Sequence, residues 1–390
     1  MKKVTSKIKS MKRKIFVTTG SRAEYGFLRP LFYEICQNKK LELYIIVAGM
    51  HLTKKHGMSI NEIKKDGFKI HDTVTMIPKG NTVHHMAKAL GEGILQFSDI
   101  FHHVRPDINL VLGDRDEMLA STIAATHMNI PNAHIHGGDK SGGIDESNRH
   151  AITKFSHIHF AVSKNSMKRI IKMGENQKFV FFTGSPSIDE VLSQKITTKK
   201  HLEKKYNLKF TGNEILFLQH SVTTQDRKSD LHIRNTLTSL FKTRKNIIAI
   251  SPNSDAGHKA IFNQLKKYSN KTNFKVFPNL PREDYLGMLK NCAILVGNSS
   301  SGIIEASYFD TPVVDIGIRQ KNRDRGKNVL TVESNSAALI YKTLLKALKM
   351  RDKKFKNDFI YGKGNASKKI CRHLESIKLD DSLIQKEITY

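Results

Sequence analysis

The sequence predicts an α/β protein of two Rossmann-like domains facing one another across a central cleft, and three observations carry that expectation. The chain has 390 residues, beyond the size at which a single core keeps growing, so two domains of similar size are expected. Short runs rich in Val, Ile and Phe alternate with helical stretches, and the runs are apolar almost throughout, as in parallel strands covered on both faces. That alternation stops across 185–209, where the sequence turns polar and lysine-rich, and then begins again.

Residues 1–13 read as a basic tail, with Met11 as a second candidate start. The first series places strands at 15–19, 43–47, 108–112, 133–135, 158–162 and 179–182, which defines an N-terminal domain over 14–190. A second series at 215–218, 246–250, 274–277, 293–296 and 312–316, with a helix near 336–348, defines a C-terminal domain over 210–365. The helical pattern near 366–377 belongs to a final segment, 366–390, expected to pack back on the first domain. No tandem repeat or low-complexity stretch interrupts this plan.

Charge is the other global feature. The 65 Lys and Arg against 36 Asp and Glu leave a formal charge of +29, which attracts any polyanion at low salt. The lysines are nevertheless spread along helix faces and loops, such as Lys54-Lys55, Lys199-Lys200 and Lys353-Lys354, without an aromatic-interleaved patch. A solvated surface and no specific nucleic-acid partner are expected; a polyanion-binding protein would account for the charge but not for the acidic cluster described next. Cys36, Cys292 and Cys371 match no metal or redox spacing and read as reduced thiols. No run reaches the length of a membrane span and the start lacks the apolar segment of a secretory signal, so a cytoplasmic protein is expected.

Residues able to do chemistry gather just after strand ends. Gly20-Ser21-Arg22-Ala23-Glu24 opens a helix, offering N–H groups and the Arg22 cation to an anion, although Arg22 and Glu24 could also pair on the surface. Gly113-Asp114-Arg115 follows a strand, where open α/β sheets place their ligands: Asp114 can act as acid or base and Arg115 can hold phosphate, with helix capping as the plainer role. His134, His136, Asp139, Asp145 and His150 follow. A divalent metal is a rival reading of these imidazoles and of His157 and His159, but no zinc motif has this spacing. Gly297-Asn298-Ser299-Ser300-Ser301-Gly302 precedes a helical stretch at 303–308 and has the form of a phosphate cradle. Glu305, one turn in, is placed to accept sugar hydroxyls; Arg319, Arg323 and Arg325 add cations near the same strand ends, and His220 is expected to face the cleft.

These motifs, in this order over about 14–332, closely resemble the hydrolysing UDP-N-acetylglucosamine 2-epimerases of the sialic and legionaminic acid pathways. The resemblance rests on Gly20-Ser-Arg-Ala-Glu-Tyr25, Gly113-Asp-Arg115, His134-Ile-His-Gly-Gly-Asp139, Gly142-Gly-Ile-Asp145, Arg149-His-Ala-Ile-Thr-Lys154, Gln219-His-Ser-Val-Thr-Thr224, Gly297-Asn-Ser-Ser-Ser-Gly302 and Gly317-Ile-Arg-Gln320. It implies a GT-B-like fold with nucleotide held mainly by the C-terminal domain, and a homodimer or homotetramer. It also implies elimination of UDP to a glycal and hydration to N-acetylmannosamine with inverted C2, with no metal or redox cofactor. By position it makes Asp114 and Asp145 catalytic acids and His51 an active-site histidine. Arg22, Arg115, His220, Ser299, Ser300, Glu305 and Arg319 become nucleotide or diphosphate contacts, with Ser301 in the same cradle.

Two positions depart from the family pattern. Relatives often carry Glu where this chain has His136, and Gly26 stands where some carry a hydroxyl. Asp139 is the nearest replacement carboxylate, and a neutral imidazole can also move protons near neutral pH. The same reaction on UDP- or GDP-linked N,N′-diacetylbacillosamine is an alternative. A glycosyltransferase of the same architecture is a remoter one, because fold does not fix chemistry.

Overall fold

The computed structural model describes residues 12–54, 57–78, 80, 82–141, 144–193, 196–253, 255–355 and 359–390. Most of the basic tail, Met11 and the Gly142-Gly143 pair therefore lie outside the described residues. Two all-parallel sheets organise the chain. The first joins β1 (Arg13–Thr19), β2 (Leu41–Ala48), β3 (Ile70–Val74), β4 (Ile108–Leu112), β5 (Asn132–Ile135), β6 (Ile158–Ala161) and β7 (Val180–Phe182) in the order β3-β2-β1-β4-β5-β6-β7. The second joins β8 (Ile215–Leu218), β9 (Ile247–Ile250), β10 (Phe274–Phe277), β11 (Ile294–Gly297), β12 (Val313–Ile316) and β13 (Val329–Val332) in the order β10-β9-β8-β11-β12-β13. Two Rossmann-like halves thus face one another in a GT-B-like arrangement.

The central strands are apolar because helices cover both of their faces. All five residues of β4 are buried, and Ile15, Val17, Ile45, Leu110 and Ile135 share one core cluster with Leu28, Leu31 and Phe32 of the helix Arg22–Gln37. A separate core packs Ile215, Phe217, Ile294 and Val314 against the helices Ser229–Lys242 and Ala337–Leu348. Strand order decides where a ligand can enter. In the first sheet the chain runs outward from β1 to β3 and then returns to β4 on the other side; β8 and β11 repeat this in the second. At such a switch the loops diverge and leave a crevice beyond the carboxyl ends of the strands. The two crevices face each other.

The polar stretch between the halves folds into the helices Pro186–Leu192 and Lys199–Tyr206, so it is not irregular linker. Near the end of the chain, the helix Ala366–Ser376 packs on both Arg22–Gln37 and Pro186–Leu192. Its Ala366 and Ser367 N–H groups donate to Asp189 at 2.9 and 2.7 Å, which satisfies two of the donors that every helix start leaves open. Among the described residues no helix is long and apolar enough to cross a membrane.

Candidate active site

A cavity of about 280 Å³ lies between the two switch points, lined from the first half by the loops after β1, β4 and β5 and from the second by those after β8, β9, β11 and β12. All of these loops but the one after β9 bring residues singled out above. Ser21 caps the helix Arg22–Gln37, and Arg22 and Glu24 reach the cavity from its first turn. Arg22 is held by Glu62 at 2.5 Å. Glu24 does not pair with it: the Glu24 carboxylate accepts the Gly20 N–H at 2.8 Å. Burial and the nearby Glu117 push Glu24 up to about 8 against the pull of Arg115.

The acidic centre is assembled across the cleft. Asp114 is paired with Arg149, whose guanidinium also donates to the His136 carbonyl at 2.8 Å. Asp145, at the start of the helix Ile144–Phe155, stands 3.6 Å from Arg319 of the opposite half. Burial, reinforced by the charge of Asp114 and only partly offset by Arg319, raises Asp145 to about 7. Arg115 joins the halves a second time, reaching Glu117 at 3.2 Å and Asp255 at 3.4 Å. In this arrangement the arginines that could hold a diphosphate rest on carboxylates of the site.

On the second half, the helix Ser300–Ile304 starts at the cavity and Ser299 and Ser300 line it. Ser301 stands behind them, bonded to Ser299 at 3.0 Å and to the Tyr285 hydroxyl. Glu305 corrects an expectation. The α-helix ends before it and a 3₁₀ turn, Ala306–Phe309, follows; the Glu305 side chain is fully buried and held by the two terminal guanidinium nitrogens of Arg282, outside the cavity lining. His220 lines the cavity, and its Nδ1 accepts the Asn253 N–H at 3.1 Å, which leaves the ring proton on Nε2. Burial, with Arg319 nearby, lowers His220 to about 3, so at neutral pH it is an uncharged donor.

The two histidines at the carboxyl end of β5, His134 within it and His136 just past it, divide by role. His134 spends both ring nitrogens inside the sheet, on the Gly113 carbonyl at 2.7 Å and Thr153 at 3.2 Å. His136 has the left-handed backbone φ of 69°, a conformation that costs about 1–3 kcal/mol outside glycine. Its Nδ1 meets Asp139 at 3.1 Å, its Nε2 meets Ser185 at 3.0 Å, and its ring stacks on Phe27 with centroids 6.0 Å apart. Because a carboxylate only accepts, Nδ1 carries the proton and Nε2 accepts from Ser185. Burial is the main cause that keeps this ring neutral. Asp139 also takes Ser166 at 2.5 Å and Arg323 at 3.1 Å; against its burial, the His136 hydrogen bond and the Arg323 charge hold its carboxyl well below the usual range. Gly138, at φ 70°, lets the chain pass Ser166, whose carbonyl would lie 2.4 Å from an added Cβ.

His51 lies behind the wall as well, bridging Thr19 at 3.0 Å and Ser59 at 2.8 Å. His157, just before β6, accepts the Asn132 N–H, while His159 within it pairs with Glu175 at 3.1 Å. The cavity therefore gathers Arg22, Asp114, Arg115, His136, Asp145, His220, Ser299, Ser300 and Arg319, and leaves His51, Asp139, Ser301 and Glu305 in supporting positions. Sequence reasoning passed over Asn253 and Asp255. Their place just beyond the carboxyl end of β9 was the available signal.

The model of one family, described as UDP-N-acetylglucosamine 2-epimerase, matches residues 33–375. The chain is 36% identical over 96% of its length, and 99% of the relative's, to the UDP-N,N′-diacetylbacillosamine 2-epimerase (hydrolyzing) of Legionella pneumophila. It is 33% identical, over 82% of its length and 83% of the relative's, to a UDP-N-acetylglucosamine 2-epimerase of Neisseria meningitidis. Among solved structures, a UDP-GlcNAc 2-epimerase from Neisseria meningitidis bound to UDP-GlcNAc superposes with a TM-score of 0.78 at 19% identity, covering 93% of this chain and 99% of that one.

Proposed function

The chain belongs to the UDP-N-acetylglucosamine 2-epimerase family, and from that premise we propose that it hydrolyses a UDP-linked 2-acetamido sugar and releases the free sugar with C2 inverted. N-acetylglucosamine is the sugar of the primary reading. The observation that carries the reaction is that the Asp114 and Asp145 carboxyls line one cavity together with Arg22, Arg115, Arg319, Ser299 and Ser300. Cleavage of C1–O puts negative charge on the diphosphate, where preorganised cations, helix N–H groups and the His220 Nε2–H stabilise it. Removal of the C2 proton forms the glycal. Protonation at C2 from the other face and addition of water at C1 complete the reaction, each proton transfer contributing about 10²–10⁴-fold. Asp114, paired with Arg149, serves as the base, and Asp145, raised toward neutrality, supplies the proton.

A second reading, with UDP-N,N′-diacetylbacillosamine as substrate, is favoured by the 36% identity to the Legionella enzyme over nearly all of both chains. Purified protein incubated with each UDP-sugar in turn tests both. Free N-acetylmannosamine and UDP support the primary reading, release only from the diacetylated substrate supports the second, and release from neither overturns the function. We further propose a cytoplasmic homo-oligomer, dimer or tetramer, which light scattering measures directly.

A further inference from the structure

One chain of buried hydrogen bonds crosses from the nucleotide side of the cleft to the sugar side. It begins at Asn298, immediately before the cradle serines, whose carbonyl accepts the Gln320 amide at 3.1 Å and Arg319 at 3.3 Å. The Gln320 side-chain oxygen takes Arg323 at 2.8 Å, and Arg323 passes to the first half, where it meets Asp139 at 3.1 Å. Asp139 holds the His136 Nδ1, and His136 Nε2 ends the chain on Ser185. Every link between Gln320 and Ser185 is at most 7% exposed. In so dry a setting hydrogen bonds reinforce one another and a displaced link is costly.

We propose that Arg323, set by Gln320, is the positioning residue that couples occupancy of the nucleotide cradle to the placement of Asp139 and His136 on the sugar side, an inference that rests on the nucleotide-sugar reading of the cavity. The trigger is Arg319. It is shared between Asp145 and the Asn298 carbonyl, and an arriving diphosphate competes for it with a stronger charge. Releasing Asn298 from Arg319 changes the partner of Gln320, and through it the angle at which Arg323 holds Asp139. The neighbouring Asp324 fixes the end of the same loop to the first half through Ser163 at 2.8 Å, Asn165 at 3.0 Å and Arg169 at 3.1 Å. Among the described residues, the charged and titratable groups facing the Asp139–His136 pair are His134, Arg149, Arg323 and Tyr361, and of these Arg323 comes from the second sheet's loops.

UDP is the probe, read by ¹⁵N-histidine NMR with the His136 signal assigned through His136→Asn, and by calorimetry for binding. In the wild type UDP shifts the His136 ring resonances. Arg323→Lys, which keeps the charge but lacks the fork that spans Gln320 and Asp139, should bind UDP within about threefold, lose the His136 response and turn over at least about tenfold more slowly at an unchanged KM. Arg323→Ala should regain part of its turnover with added guanidinium ion. An unperturbed His136 in the wild type, or the same response in Arg323→Lys, overturns the coupling while leaving the nucleotide reading intact. No UDP binding to the wild type overturns both.

Discussion

Asp114 and Asp145 lie in one cavity but in different company, and that difference assigns their work. A raised carboxyl keeps its proton up to about pH 7 and loses it above, so turnover that uses the Asp145 proton should decline as pH rises through neutrality. Asp145→Asn should remove that limb and, like Asp114→Asn, lower turnover at least about a hundredfold while UDP still binds. Stability checks the same shift independently. Because the unfolded carboxyl titrates near 4, its contribution to stability is fully present below that pH, falls as pH rises from about 4 to about 7, and is flat above the folded value. Asp145→Asn should therefore melt higher than the wild type at pH 8 and close to it at pH 4; the reverse pattern contradicts the assignment. His136 points the other way. With both nitrogens engaged by Asp139 and Ser185, it presents a ring face beside Phe27 and not a free proton carrier. His136→Ala should change the preference between the two acetamido sugars and leave the pH profile in place. Strand-end position made Asp114, Asp145, Arg22, Arg115 and Arg319 legible as neighbours of one cavity, whereas the contacts of Glu305 depend on Arg282, a partner 23 residues away that no local pattern marks.

At the scale of elements, the serine-rich helix start and the loop after β12 act as one clamp. Gly297, at φ 136°, ends β11 against its parallel neighbour β8 so closely that an added Cβ would lie 1.9 Å from the Leu218 carbonyl, and the chain leaves this point into Ser299 and Ser300 at the cavity. Ser300→Ala and Arg319→Ala should each weaken UDP binding by about 1.5–3 kcal/mol, the range for a charged hydrogen bond; calorimetric affinities equal to the wild type would put the nucleotide elsewhere. The central strands were readable because burial on two faces demands continuous apolar runs, as in Ile-Asn-Leu-Val-Leu of β4 and Ile-Leu-Phe-Leu of β8. β3 and β13 escaped notice for the same reason. Both are edge strands: Ile70–Val74 carries His71, Asp72 and Thr73, and Val329–Val332 is only partly buried, so neither needs the pattern that marks a core strand.

At the scale of the whole molecule, the two halves meet through ions as well as through apolar packing, since Ile303 and Ile304 of the second half share a buried cluster with the first. Arg115–Asp255, Arg319–Asp145, Arg323–Asp139 and Arg169–Asp324 all cross the cleft. The end of the chain adds a strap: Lys386 reaches buried Glu175 at 2.6 Å and the Ser156 carbonyl at 2.6 Å. Lys386→Met should cost about 1–3 kcal/mol in denaturant unfolding, as for lost charged hydrogen bonds, and an unchanged midpoint would show the strap to be idle. The central claim, elimination and rehydration at C2 between two opposed carboxyls, is tested most directly by running the reaction in D₂O. The glycal route removes the substrate's own C2 hydrogen and returns one from solvent, so the released sugar should carry a single deuterium at C2 together with inverted configuration. A released sugar that keeps its original C2 hydrogen, or retains its configuration, would contradict the account.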